Sequence, residues 1–214
     1  MSTTIRFVLL CEGSSDQPLV GHLQDLLVSH GATAATGRAD WSKGRVSAKL
    51  TRLLESGEPF DLAFVHRDAD GPNAESRIKE IDNGVREAVF SHPYIPVVPV
   101  QETEAWLLID EAAIRSVVGN PHGNTPLNLP SPEHVEHVPR PKEALRQALI
   151  NASGKSGRRL KEERKRFTSR RLVLLQRLDP EGIVKTVPSW RRLEQSIDNL
   201  ARDLGWVVPT ETGS

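Results

Sequence analysis

The sequence predicts an α/β protein with a mostly parallel sheet, helices on both faces of that sheet and a basic α-helical C-terminal segment. Three short apolar runs, at 5–11, 60–66 and 95–100, have the length and composition of buried strands. Each run leads into a stretch with helical spacing, and strands that alternate with helices are typical of a parallel sheet. The 214-residue chain has room for one such domain and an added helical segment.

The helices are predicted where apolar residues recur about every 3.6 positions. Pro18 suits the first turn of the first helix, with Ser15 or Asp16 as its N-cap. A polar loop that contains Trp41 and Gly44 is expected after this helix. The predicted helices are 18–30, 46–55, 74–90, 103–117, 141–151, 160–178 and 189–204.

Proline and charge divide the chain into three parts. Six prolines between 119 and 141 predict a loop or linker over 121–140. An α/β domain is expected over 1–120 and a basic helical segment over 141–214. Residues 1–137 carry 11 Lys and Arg against 19 Asp and Glu, whereas 138–192 carry 16 against 5. An acidic part joined to a basic part suits an enzyme that gathers carboxylates for metal and cations for phosphate.

Composition also indicates where the protein works. No apolar run approaches the roughly 18 residues of a membrane span, so no membrane association is expected. The first apolar stretch lacks the charged leader and the cleavage site of a signal peptide. Cys11 is the single cysteine, which excludes an internal disulfide and favours a reducing, cytoplasmic location.

Acidic residues follow each of the three predicted strands. Because parallel strands bring their C-terminal ends to one edge of the sheet, these side chains are expected to converge. Such a concentration of negative charge requires a cation, and hard carboxylate oxygens suit Mg²⁺ or Mn²⁺. The predicted metal ligands are Glu12, Asp68, Asp70, Glu102 and Glu104.

Three of these segments resemble motifs of one family. The apolar run that ends in Glu12-Gly13 resembles the glutamate motif of TOPRIM domains, and Asp68-Ala69-Asp70 resembles their Asp-x-Asp motif. The segment 101–110, QETEAWLLID, is similar to one in a small group of bacterial TOPRIM-like proteins related to the overcoming-lysogenization-defect (OLD) nucleases. The resemblance covers roughly residues 1–115 and identifies 1–120 as a TOPRIM-like catalytic domain.

The resemblance implies metal-dependent phosphoryl transfer. Glu12 would bind metal or relay a proton, and Asp68 and Asp70 would bind the first Mg²⁺. Glu102 or Glu104 would complete a second metal position. Topoisomerase activity is not expected, because Tyr94 is the single tyrosine and lies in a turn. The expected activity is hydrolysis of DNA or RNA by a Mg²⁺-dependent nuclease.

The basic segment would supply contacts to the nucleic acid. Nine cations fall within 17 positions, which is more than a structural helix needs, and phosphate contacts are their natural use. Lys155 is predicted to lie closest to the chemistry, where it would counter charge on the scissile phosphate. The predicted nucleic-acid contacts are Arg158, Arg159, Lys161, Arg164, Lys165, Arg166, Arg170 and Arg171.

Other functions remain open on the sequence. The resemblance suggests an effector of bacterial anti-phage defence, or a toxin, that acts with a separately encoded ATPase of the OLD or SMC-like kind. The alternative is a non-catalytic nucleic-acid-binding or adaptor subunit with a structural or vestigial metal site. A third option is an enzyme that acts on a small nucleotide. The intact acids favour an enzyme over an adaptor, and the basic segment favours a polymer as its substrate.

Overall fold

The computed structural model describes residues 4–206 as an α/β protein, which confirms the predicted fold class at that level. Short 3-10 turns connect several of the elements, notably Ser14–Asp16 and Thr103–Leu107. The regular elements in chain order are β1 (Thr4–Leu10), α1 (Leu19–Ser29), β2 (Ala34–Asp40), α2 (Val46–Glu55), β3 (Leu62–His66), α3 (Glu75–Glu87), β4 (Tyr94–Val97), α4 (Glu111–Val117), α5 (Pro141–Ser153), α6 (Gly157–Lys165), α7 (Phe167–Gln176) and α8 (Pro188–Asp203).

The four strands form one parallel sheet in the order β2-β1-β3-β4. The chain moves outward from β1 to β2 and then returns to place β3 on the other side of β1. This reversal makes β1 and β3 the topological switch point of the sheet, where α/β proteins bind ligands beyond the strand ends. All five residues of β3 are buried, as expected for a central parallel strand.

β2 corrects the sequence prediction, which placed a polar loop in this part of the chain. The strand is an edge strand of small and polar residues, so it lacks the apolar run that marks a buried strand. Gly37 lies opposite Phe7 in the register. A Cβ at position 37 would stand 2.1 Å from Cζ of the Phe7 ring, so the ring occupies the space that any other residue would need.

The helices cover both faces of the sheet. Crossovers between parallel strands are right-handed. The connection through α1 runs from β1 to β2, whereas those through α2 and α3 run across the sheet in the opposite direction, so α1 lies on one face and α2 and α3 lie on the other. α2 and α3 pack against each other at Gly84, where a Cβ would lie 2.7 Å from Cβ of Val46. None of the helices within 4–206 is long and apolar enough to cross a membrane.

The described residues divide into two compact units. The first comprises 4–67, 75–98 and 191–206, and contains the sheet with α1, α2 and α3. The second comprises 68–74 and 99–190, and contains α4 to α7. The predicted boundaries at 120 and 140 rest on sequence composition and stay a prediction.

Two predicted helices are interrupted in the structure. The segment predicted as one helix from 103 to 117 is a 3-10 turn, Thr103–Leu107, followed by α4. Asp110 accepts a hydrogen bond from the backbone N–H of Ala113 at 2.8 Å and starts α4 afresh. The segment predicted as one helix from 160 to 178 is divided at Arg166 into α6 and α7.

Replacing Gly37 by Ala should destabilise the protein by about 1–3 kcal/mol, because the added methyl collides with the Phe7 ring. Gly21 is the matched control, since it is exposed within α1 and a Cβ there meets nothing within 4 Å. Gly21→Ala should raise the free energy of unfolding by about 0.5–1 kcal/mol. Urea unfolding measures both, and equal effects of the two substitutions would contradict the close approach.

Candidate functional site

In the first unit, Glu12 lies beyond β1 at the switch point and is held by an arginine. Its Oε1 lies 3.0 Å from Nε of Arg67, the residue that directly follows β3. Nη1 of Arg67 also lies 3.1 Å from Oε1 of Glu80 in α3. Arg67 therefore links the ends of two neighbouring strands to a helix, and Glu12 has a cationic partner within the protein.

A buried lysine lies beside this ion pair. Lys49 of α2 is 6 % exposed and donates from Nζ to the carbonyl oxygen of Cys11 at 2.5 Å. Burial lowers the pKa of Lys49, an effect that the nearby acidic groups, among them Glu12 and Asp40, oppose. The sequence analysis did not single out Lys49 or Arg67, because nothing in their local sequence distinguishes them from surface cations.

Three other titratable groups of this edge are buried. Nδ1 of His66 lies 3.8 Å from Oδ2 of Asp16, and both side chains are almost inaccessible to solvent. Burial also raises the pKa of the Cys11 thiol to about 12, so this cysteine stays protonated and unreactive at neutral pH.

In the second unit, Asp68 and Asp70 lie in a tightly bonded turn. Oδ1 of Asp68 accepts hydrogen bonds from the backbone N–H and the hydroxyl of Thr103, both at 2.9 Å. Asp70 and Gln101 both adopt left-handed backbone conformations, with φ of 52° and 63°. The N–H of Asp70 donates to the carbonyl of Gln101 at 2.9 Å, so the two strained residues hold each other in place.

Glu102 and Glu104 differ in their surroundings. Glu102 is half-buried, and its Oε2 accepts a hydrogen bond from the backbone N–H of Lys142 at 3.0 Å, in the first turn of α5. Glu104 is buried and forms an ion pair with Nε of Arg171 at 3.0 Å. The structure thus directs the Glu104 carboxylate at an arginine inside the unit, and its role as a metal ligand stays a prediction.

A cavity of about 250 Å³ in the second unit brings two of the predicted acids together. Asp70 and Glu102 line it with Glu143 and two cations, Arg140 and Lys142. The sequence analysis missed the last three, which stand at the start of α5, because nothing in their local sequence distinguishes them from other charged surface residues. This cavity therefore offers both carboxylates and cations.

No group of three or more His, Cys, Asp or Glu side chains within the described residues 4–206 is arranged to hold a metal ion. The predicted Mg²⁺ or Mn²⁺ site therefore stays a prediction. Its donor chemistry fits, because the acids are hard oxygen ligands and Asp70 is exposed.

The predicted phosphate contacts fall into two groups. Lys155 and Arg170 both bind the buried carboxylate of Glu163, at 2.5 Å and 2.8 Å, and Arg171 binds Glu104. Burial alone would raise the pKa of Glu163, but the hydrogen bonds from Arg170 and Lys155 outweigh it and hold the pKa below its ordinary value. The exposed cations are Arg158, Arg159, Lys161, Arg164, Lys165 and Arg166, of which Lys165 pairs with Glu162.

These features define an α/β protein with an acidic site and an exposed basic helix, and its sequence assigns it to a family. A family described as a domain of unknown function (DUF4276) matches residues 11–198. Since this is more than half of the 214 residues, the chain belongs to that family. No curated protein and no solved structure matches the chain.

Glu104→Gln should destabilise the protein by about 3 kcal/mol or more, because it leaves Arg171 as a buried charge without its carboxylate. Glu102→Gln is the matched control, two positions away, and should cost about 1 kcal/mol or less, since the amide oxygen can still accept from Lys142. Chemical denaturation of both variants measures the difference. An equal cost would show that the Glu104–Arg171 pair does not stabilise the second unit.

Proposed function

We propose that this protein is a Mg²⁺- or Mn²⁺-dependent nuclease, which hydrolyses phosphodiester bonds of DNA or RNA. The observation that supports it most is the cavity of the second unit, where Asp70 and Glu102 lie beside Arg140 and Lys142. Acids alone would suit only a cation, and cations alone only a phosphate. A site that offers both types of side chain suits a metal-bound phosphodiester.

The charge of the cavity supports the same function. Three carboxylates and two cations line it, so the net charge of its side chains is −1. A phosphodiester adds one more negative charge, and a divalent cation would balance both. Opposite charges at short range attract one another, and the exposed side chains of Asp70, Arg140 and Lys142 leave the cavity open to a phosphodiester chain.

Each side chain of the cavity has a role in this proposal. Asp70 and Glu102 would hold the cation through carboxylate oxygens, with Asp68 fixing the turn from which Asp70 projects. Arg140 and Lys142 bind the non-bridging phosphate oxygens, where a guanidinium offers two parallel hydrogen bonds. The bound cation would polarise the phosphate and lower the pKa of a water molecule. Glu143 is the carboxylate left to accept the proton of that water.

The TOPRIM-like identity, and with it the role of Glu12, enters this proposal from the sequence resemblance. The same resemblance is the basis for proposing an effector of anti-phage defence, or a toxin, with a separately encoded ATPase partner, and the single cysteine is the basis for proposing a cytoplasmic location. The exposed cations of α6 are proposed to bind the phosphate backbone away from the scissile bond.

One set of observations favours a second candidate, the non-catalytic nucleic-acid-binding subunit. Three of the groups expected to act in catalysis or metal binding have partners of opposite charge within the protein. Glu12 binds Arg67, Glu104 binds Arg171 and Lys155 binds Glu163. Ion pairs of this kind are expected where acids and bases stabilise a fold. Both candidate functions use the basic surface to bind nucleic acid. They differ in whether the protein cleaves the nucleic acid that it binds.

Asp70→Asn should reduce cleavage about 100-fold or more while leaving nucleic-acid binding intact, because it removes a carboxylate of the cavity and keeps the side-chain shape. Cleavage of duplex DNA, single-stranded DNA, RNA and tRNA is measured with Mg²⁺, with Mn²⁺ and with a chelator. Asp25→Asn is the matched control, since Asp25 is an exposed residue of α1 in the first unit.

A second measurement does not depend on activity. Millimolar Mg²⁺ should raise the melting temperature of the parent and of Asp25→Asn, through preferential binding to the folded state, and should raise that of Asp70→Asn less. If the parent binds nucleic acid and cleaves none of these substrates with either metal, the adaptor is the correct assignment. Full activity of Asp70→Asn would remove the cavity from the mechanism.

A further inference from the structure

The helix α6 is attached to the rest of the second unit by an unusual side chain. Of its nine residues, Gly157–Lys165, only Glu163 is buried. Helices ordinarily attach through an apolar stripe. Here Leu160 is only half-buried, so the inward face of α6 carries a carboxylate where apolar side chains are usual.

Glu163 joins α6 to the elements on both sides of it. Its Oε2 accepts from Nζ of Lys155, just before α6, and its Oε1 accepts from Nε of Arg170 in α7. Nη1 of Arg170 also donates to the carbonyl of Val117, at the end of α4. The buried carboxylate of Glu163 is therefore joined through Arg170 to α7 and α4, and through Lys155 to the segment before α6.

A helix of this length needs such a connection. Isolated helices of fewer than about 12–15 residues are marginal in water. α6 is preceded by Gly154 and begins at Gly157, and both glycines have left-handed backbone conformations, with φ of 58° and 55°. Most of the side chains of α6 are charged. Glu163 is the one buried side chain through which α6 itself is held in the second unit.

The outward side of α6 carries the positive charge. Arg158, Arg159, Lys161 and Arg164 are exposed, and none of them forms an ion pair with any residue in 4–206. One carboxylate of α6 is buried while all five of its cations are exposed, so most of the exposed charge of this helix is positive. The outward face is complementary to a polyanion.

We propose that Glu163 is a positioning residue for nucleic acid: its buried carboxylate orients α6 so that the outward cations meet the phosphate backbone. Lys155 then acts through Glu163, as part of this support, and does not touch the scissile phosphate. The inference rests on the proposed function for the identity of the ligand, and on the geometry of Glu163 for the role of the residue.

The test compares Glu163→Gln with Glu162→Gln in the full-length chain. Both substitutions remove one negative charge from α6 at adjacent positions, but Glu162 is exposed and its carboxylate pairs with Lys165, itself exposed. Simple electrostatics predicts slightly tighter binding of a polyanion by both variants. If Glu163→Gln weakens binding and Glu162→Gln does not, a general charge effect is therefore not the cause.

Binding of a 30-base-pair duplex and of an RNA of equal length is measured against salt concentration. Glu163→Gln should weaken binding about tenfold or more at low salt and reduce the log–log salt slope by about two to four, at about 0.9 per lost phosphate contact. Glu162→Gln should keep the parent's slope. Hydrogen exchange of the α6 amides should be about tenfold faster in Glu163→Gln and unchanged in α1.

Glu163→Asp keeps the charge with a shorter reach and should restore part of the affinity. It also replaces Glu163→Gln if that variant does not fold. Parent-like affinity, salt slope and α6 exchange in Glu163→Gln would overturn the inference. If the parent protein binds neither the duplex nor the RNA, the proposed function and the binding role of Glu163 are both wrong. Hydrogen exchange alone would then show whether Glu163 holds α6.

Discussion

The central strand β1 is the element on which the first unit depends, because it pairs with β2 on one side and with β3 on the other. Phe7 shows how closely these pairings are adjusted. It lies opposite Gly37 on β2 and Leu62 on β3, and its ring packs edge-on against Phe64 at 5.3 Å. The Phe7 ring fills the space above Gly37. β2 can therefore pair with β1 in this register only if residue 37 has no side chain. The β1–β2 pairing beside the position of Glu12 therefore depends on this close approach.

Buried charge plays the corresponding role in the second unit. Glu104 and Glu163 are each buried and each bind cations from α7, Arg171 and Arg170 respectively. Such pairs cost desolvation energy and stabilise little more than apolar residues of the same volume. They do fix geometry, because a carboxylate accepts hydrogen bonds in defined directions. A unit that carries many cations on its surface can thus hold a highly charged chain segment in one arrangement.

The same acids illustrate how far a sequence pattern leads toward a site. Because Glu12, Asp70 and Glu102 follow predicted strands, the sequence predicted that they lie at strand ends or in the following turns. They do lie there. It did not distinguish Glu102, which borders a cavity, from Glu104, which is buried against an arginine. Two residues apart in the chain, they face different surroundings, because Glu102 has an extended backbone just before the 3-10 turn and Glu104 lies within that turn.

Local composition determined the class of fold. Three apolar runs followed by amphipathic stretches are sufficient for a parallel α/β sheet, because buried strands and half-buried helices require those patterns. Only the tertiary structure decided the rest. β2 is invisible in the sequence because an edge strand can be polar, and the partners of Glu12, Glu104 and Lys155 lie 55, 67 and 8 positions away. Whether a charge binds a ligand or stabilises the fold depends on which distant groups the packing brings beside it.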